Sequence, residues 1–137
     1  LSFVFIGFPL SAPPFDTRRL PAEPDVSAPD GSAVRILLSL ERGSMAHFTL
    51  NPGQISRAIR HRSVDEIWYI TAGEGEMWRR ARDVEEVAIL IPGISLTIPV
   101  GTEFQFRATG KIPLEAVAIT MPPWPGEQEA VFVDGKW

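Results

Sequence analysis

Between Val34 and Met121 the sequence falls into nine short strand-like runs, separated by stretches that contain Gly, Pro or Asp. The runs are Val34–Leu40, Met45–Leu50, Ser56–Arg62, Glu66–Thr71, Gly75–Arg80, Glu86–Ile91, Ser95–Ile98, Glu103–Arg107 and Leu114–Met121. No stretch carries a convincing helical repeat. Short runs at this spacing predict an all-β sandwich or barrel. The separators have turn chemistry, as in Asn51-Pro-Gly53, Pro92-Gly93 and Pro99-Val-Gly101. Alternation is visible in Glu103-Phe-Gln-Phe-Arg107, which sets both Phe on one face. The mixed charges of Arg79–Glu86 fit a solvated hairpin tip.

Upstream the texture differs. Six prolines between Pro9 and Pro29 leave no room for a helix or a central strand. Residues 1–31 are therefore expected to be an extension and an extended Pro-rich arm. Residues 32–137 are expected to be the β-domain, with a Pro-rich C-terminal tail. The apolar stretch Leu1–Phe8 fits an exposed strand, a processed signal remnant or an added extension, the last two favoured over a functional role.

Composition removes several chemistries. The chain has 137 residues, no cysteine and two histidines, His47 and His61. Disulfides, thiolate metal sites and a cysteine nucleophile are excluded. A site needing three histidines would have to borrow one across a subunit interface. A net charge of −4 argues against nucleic acid as partner. No apolar run is long enough to span a bilayer as a helix, so no membrane partner and a cytoplasmic location are expected.

Two stretches resemble the paired motifs of the cupin superfamily. The first motif runs Gly, five residues, His, one residue, His, three or four residues, Glu, six residues, Gly. Gly53, Glu66 and Gly73 stand in its order, and Asp65-Glu-Ile-Trp-Tyr-Ile-Thr-Ala-Gly-Glu-Gly-Glu-Met77 is similar to cupin sequence. The second runs Gly, five residues, Pro-x-Gly, two residues, His, three residues, Asn. Gly93, Pro99 and Gly101 match it. The resemblance implies a single antiparallel β-barrel of the jelly-roll type, a central pocket and a homodimer.

In metal-binding cupins the motif His residues and the Glu hold one divalent ion. Counting from Gly53 puts Ile59 and His61 at the first two His positions, and Phe104 and Ala108 where the second motif has His and Asn. Ile and Phe have no lone pair to offer a metal. The expectation is a pocket without metal or cofactor. Counting back from Glu66 with three intervening residues puts Arg60 and Arg62 at the His positions instead. Strand parity then decides between a pocket with Ile59 and His61 and an anion-gripping pocket with Arg60 and Arg62.

Glu66 and His61 are the candidate catalytic residues. Inside a barrel walled by Trp68, Phe104 and Phe106, desolvation would raise the Glu66 pKa into a range useful for acid–base catalysis. Ile59, Trp68, Phe104 and Phe106, with Arg60 and Arg62 in the other register, are the candidate ligand contacts. Tyr69 has the opposite parity to Glu66 and should face outward. The tail Met121–Gly126 could cap the pocket or pack on a partner. Three functions follow. The first is metal-independent acid–base chemistry on a small organic molecule, of the isomerase or lyase kind. The second is non-catalytic binding of a small ligand. The third is a metal-dependent oxygenase, which would need His47 to join His61 and Glu66.

Overall fold

The computed structural model describes residues 14–137, so the expectation for Leu1–Phe8 and the first prolines of the arm lie outside the described residues. In chain order the strands are β1 (Val26–Ser27), β2 (Ala33–Leu40), β3 (Gly43–Leu50), β4 (Ile59–His61), β5 (Asp65–Ala72), β6 (Gly75–Ala81), β7 (Val84–Leu90), β8 (Ser95–Ile98), β9 (Glu103–Ala108), β10 (Leu114–Met121) and β11 (Ala130–Phe132). The described helical content is one short 3-10 turn, Glu127–Glu129. No helix among the described residues is long and apolar enough to cross a membrane.

The strands form two antiparallel sheets. One has the order β1-β2-β3-β10-β5-β8 and the other β11-β4-β9-β6-β7. The non-consecutive neighbours make this a jelly roll rather than a meander, as the all-β reading expected. Alternation sorts each strand's residues. On β5, Glu66, Trp68 and Ile70 are buried while Ile67 and Tyr69 face out. Paired across the sheet, Thr120, Ala118 and Ala116 of β10 stand beside them on the inner face.

One strand is shorter than its sequence run. Ser56–Arg62 yields only Ile59–His61 as strand, because Ser56 leaves the regular ladder. Its backbone N–H donates to Phe106 O, and its hydroxyl accepts the Phe106 N–H at 3.0 Å. The side chain thus takes a bond that a neighbouring strand would otherwise supply.

At one end neighbouring strands approach each other closely. Gly73 has φ +78°, and a Cβ there would lie 2.3 Å from the Pro113 carbonyl oxygen. A Cβ on Gly75 would lie 2.2 Å from Arg107 O. Glycine is needed for contact at both positions, and at Gly73 for the backbone conformation as well. Around them Leu50, Ile70, Met77, Leu90, Phe106 and Leu114 fill the interior.

The arm and the tail are tied to the barrel. Val26 and Ser27 pair with Val34 and Ala33, and Arg35 donates to the carbonyls of Pro21 and Ala22. At the other terminus the Gln105 amide oxygen accepts the N–H groups of Lys136 and Trp137, both at 2.9 Å.

Candidate functional site

The other end of the barrel interior is open. A cavity of about 360 Å3 lies there, walled by residues of β2, β3, β4, β5, β9 and β10 together with the arm and the tail. Its size is at the small end for ligand cavities. Ile59, His61, Glu66, Trp68 and Phe104 all line it. Phe106 does not; it lies one inward step further along β9, against the Trp68 ring in the packed end (centroids 4.9 Å apart).

The parity of β4 selects the first of the two registers. Ile59 and His61 are buried and pair with the barrel interior, whereas Arg60 and Arg62 do not line the cavity. Arg62 instead donates to the Gln128 carbonyl. The anion-gripping pair of arginines is therefore corrected: alternation cannot turn both sets inward, and burying Ile59 avoids desolvating two guanidinium groups.

His61 Nδ1 and Glu66 Oε1 are 3.5 Å apart, on side chains only 3% and 4% exposed. Among the described residues His61 Nδ1 has no hydrogen-bond partner. Burial lowers the His61 pKa to about 4, a shift moderated by the Glu129 carboxylate. Burial raises that of Glu66 to about 8, and the Asp30 carboxyl pushes in the same direction. The Trp68 indole N–H beside Glu66 offsets this in part, without making a hydrogen bond of ordinary geometry. At neutral pH both groups are thus uncharged. Glu66 holds a proton and His61 has a free ring nitrogen, which is the reverse of an ion pair.

Four elements that sequence reasoning did not assign complete the site. Asp30, in the loop after β1, is buried and lines the cavity. Its Oδ1 accepts from the Ser32 N–H (2.9 Å) and hydroxyl (2.6 Å), and burial raises its pKa despite those bonds. Its Asp-Gly-Ser context signals a turn, but nothing local says that the turn faces the cavity. Ser44 and Thr120 share a 2.6 Å hydroxyl contact on the wall. Phe48 stacks on Trp68 with centroids 5.3 Å apart. Glu129 acts behind the site: its carboxylate accepts from Ser63 N, Ser63 Oγ and Val64 N. These bonds fix the turn between His61 and Glu66. Burial opposes ionisation of Glu129, but the bonds outweigh it and hold its pKa below the usual range.

The tail crosses the mouth. Trp124 sets its ring edge-on to His61, centroids 5.2 Å apart, and the Trp124 backbone N–H donates to Ser44 Oγ.

His47 does not join the site. Ala46 and Phe48 point into the cavity, so the residue between them points to the opposite face of β3. There His47 Nε2 lies 2.9 Å from Glu115 Oε1. The two-histidine, one-carboxylate set of the oxygenase reading is not assembled.

The sequence matches the cupin-domain family over residues 46–120, and the chain belongs to that family. It is 29% identical over 91 residues to the xanthan biosynthesis protein XanB of Xanthomonas campestris, a match covering 66% of this chain and 19% of that protein. The chain thus spans about a fifth of the length of the curated relatives it matches. Among solved structures, KdgF from a Halomonas species is similar, with TM-score 0.62 and 18% identity over 69% of this chain and 82% of that one. So is the capsular polysaccharide assembling protein CapF of Staphylococcus aureus, with TM-score 0.67 and 15% identity over 76% of this chain and 32% of that one. At these identities the structures establish the fold.

The residues present do not fit the divalent ion that cupin motifs hold. Ile59 and Phe104 replace two nitrogen donors, and they pair in register across β4 and β9. Among the described residues no three His, Asp or Glu side chains converge in a metal-holding group.

Proposed function

We propose that this cupin performs metal-independent acid–base chemistry on a small organic molecule bound in the cavity. The observation that carries the reading is the 3.5 Å approach of His61 Nδ1 to Glu66 in an apolar cavity. Burial pushes their pKa values apart in the direction that leaves both neutral. A neutral imidazole is a base and a neutral carboxyl is an acid. Two such groups side by side can take a proton from carbon next to a carbonyl and deliver one to oxygen, the step shared by isomerases and lyases. His61 would accept the proton, Glu66 would donate, and Glu129 would hold the turn that sets their spacing. Burying a carboxyl group among apolar and aromatic side chains costs stability, which favours a task for Glu66.

The test is deuterium incorporation from D2O into a panel of small enolisable ketones and aldehydes, followed by proton NMR. The wild-type protein should catalyse exchange at the α-carbon of at least one class. Glu66→Gln and His61→Gln should each slow it by about 100-fold or more, the usual weight of one positioned acid or base. Exchange unaffected by either substitution would leave the cavity as a ligand-binding site without catalysis.

A further inference from the structure

Ser44 and Thr120 hold one hydroxyl proton more than they can use between them. Their oxygens are 2.6 Å apart on the cavity wall, and Ser44 Oγ also accepts the Trp124 backbone N–H at 3.0 Å. Each hydroxyl has one proton to donate. The contact between them uses one, and among the described residues neither hydroxyl has another acceptor. Chains of hydrogen bonds polarise in one direction, so a Ser44 hydroxyl that accepts from Trp124 is the better donor to Thr120. The proton left over then belongs to Thr120, whose side chain is buried. A buried donor without an acceptor is costly, and a bound ligand can relieve that cost.

Thr120 stands beside Glu66. The two are direct partners across β10 and β5, both buried on the inner face, with no hydrogen bond joining them. Side chains paired in this way start about 4.5–5.5 Å apart at Cβ, close enough for one ligand oxygen to meet both. A second donor on the same wall also lacks an acceptor among the described residues. It is the indole N–H of Trp68, the next inward residue on β5. No Lys or Arg lines the cavity among the described residues. The wall around Glu66 thus offers unpaired donors and no cation. That suits the oxygen of an uncharged carbonyl group better than a carboxylate, which would lose its water without gaining a counter-charge.

We infer that Thr120 donates a hydrogen bond to the carbonyl oxygen of an uncharged ketone or aldehyde, sharing that oxygen with Glu66, and that Ser44 aims the Thr120 hydroxyl there. This rests on the acid–base reading and adds the group that holds the substrate oxygen. When His61 Nδ1 takes a proton from the α-carbon, the C–H electron pair forms the new C=C bond. The carbonyl π pair moves to oxygen, which takes the Glu66 proton. An enol, an imidazolium and a carboxylate result. The Thr120 bond is kept throughout and strengthens as charge grows on the oxygen, so it favours the transition state over the bound ketone. Ser44 acts through Thr120 and is a positioning residue, with the Trp124 N–H behind it.

Two probes of the same shape test the inference: acetophenone, with a carbonyl oxygen, and α-methylstyrene, with CH2 in its place. Tryptophan fluorescence follows their binding, and proton NMR follows exchange of the acetophenone methyl protons in D2O. Thr120→Val keeps the shape and removes the hydroxyl. It should weaken acetophenone binding about fivefold or more while α-methylstyrene stays within about twofold. It should lower kcat for exchange about tenfold or more, a larger factor than its effect on KM. Thr120→Ser, which keeps the hydroxyl and loses the methyl, should restore both readouts to within about threefold of wild type. Ser44→Ala should act in the same direction as Thr120→Val, and decides the matter if the Thr120→Val protein does not fold. Equal weakening of both probes, no change in Thr120→Val, a Thr120→Ser no better than the valine, or no binding of acetophenone overturns the inference. Its failure is distinct from that of the acid–base reading. Exchange that needs His61 and Glu66 but not Thr120 removes the hydroxyl alone. A Thr120-dependent preference for acetophenone, with exchange indifferent to His61 and Glu66, removes the chemistry and keeps the oxygen site.

Discussion

The two ends of this barrel interior are built on the same strands and do opposite things. Ile70, Ala116, Leu50 and Phe106 sit at one end, one inward step along β5, β10, β3 and β9 from Trp68, Ala118, Phe48 and Phe104 at the other. The first end is filled and drawn tight by Gly73 and Gly75. The second keeps an open cavity and gathers the polar groups His61, Glu66, Thr120 and Ser44. Trp68 is the partition, stacked on Phe48 on the cavity side and edge-on to Phe106 on the other. A single inward step thus separates residues whose role is packing from residues whose groups remain available to a ligand.

The largest expected effect tests the filled end. Phe106→Ala should cost about 3–5 kcal/mol of unfolding free energy, because a ring with no room to be replaced leaves a void. Denaturant titration measures it. A loss under about 1 kcal/mol would mean that the packed end is not packed, and the contrast would fail.

An intermediate effect tests the open end through pH. In the folded protein Glu66 keeps its proton up to about pH 8, whereas the ordinary value is 4.5. The folded state binds more protons across that window, so stability falls as pH rises through it. His61 acts oppositely: its folded pKa of about 4 lies below the ordinary 6.5. Its contribution rises with pH between those values. The slopes oppose each other from about 4.5 to 6.5, leaving a net loss of about 2 kcal/mol between pH 6.5 and 8. Glu66→Gln should flatten that fall. Denaturation midpoints at the two pH values measure it, and an unchanged slope in the variant would show that Glu66 is not the buried acid.

The smallest effect sharpens the boundary of the cavity. Arg60→Ala should alter stability by less than about 0.5 kcal/mol, as expected for a side chain outside both ends of the interior. It should also leave α-carbon exchange unchanged. A large loss of exchange would return Arg60 to the site and the strand parity with it.

Much of this was legible in the residues. Nine of the eleven strands coincide with runs marked out by turn residues. Ser95–Ile98 and Leu114–Met121 have the same bounds in both readings. The two missing strands are short. Val26–Ser27 lies among prolines and Ala130–Phe132 follows a 3-10 turn, so neither has a periodic signal of its own. The spacing from Gly53 also singled out Ile59, His61 and Glu66, because strand alternation is a local property.

Local properties could not settle the rest. Glu66 and His61 follow one another closely in the chain, and their residue types mark them as chemical candidates before any fold is known. Asp30 and Trp124 reach the cavity from opposite ends of the chain, and no sequence spacing connects them. Phe104 and Phe106 share one strand face and look equivalent in sequence. Only the placement of Trp68 between them makes one a cavity wall and the other core. The charge of the pocket was likewise undecided, since two counts put either a histidine or two arginines inside. The sequence determined the β-pattern, the turns and the loss of metal-ligating side chains, because each depends on residues a few positions apart. The tertiary structure decided which side chains share one desolvated space. That depends on strands brought together from across the whole chain, and the shifted states of His61 and Glu66 exist only there.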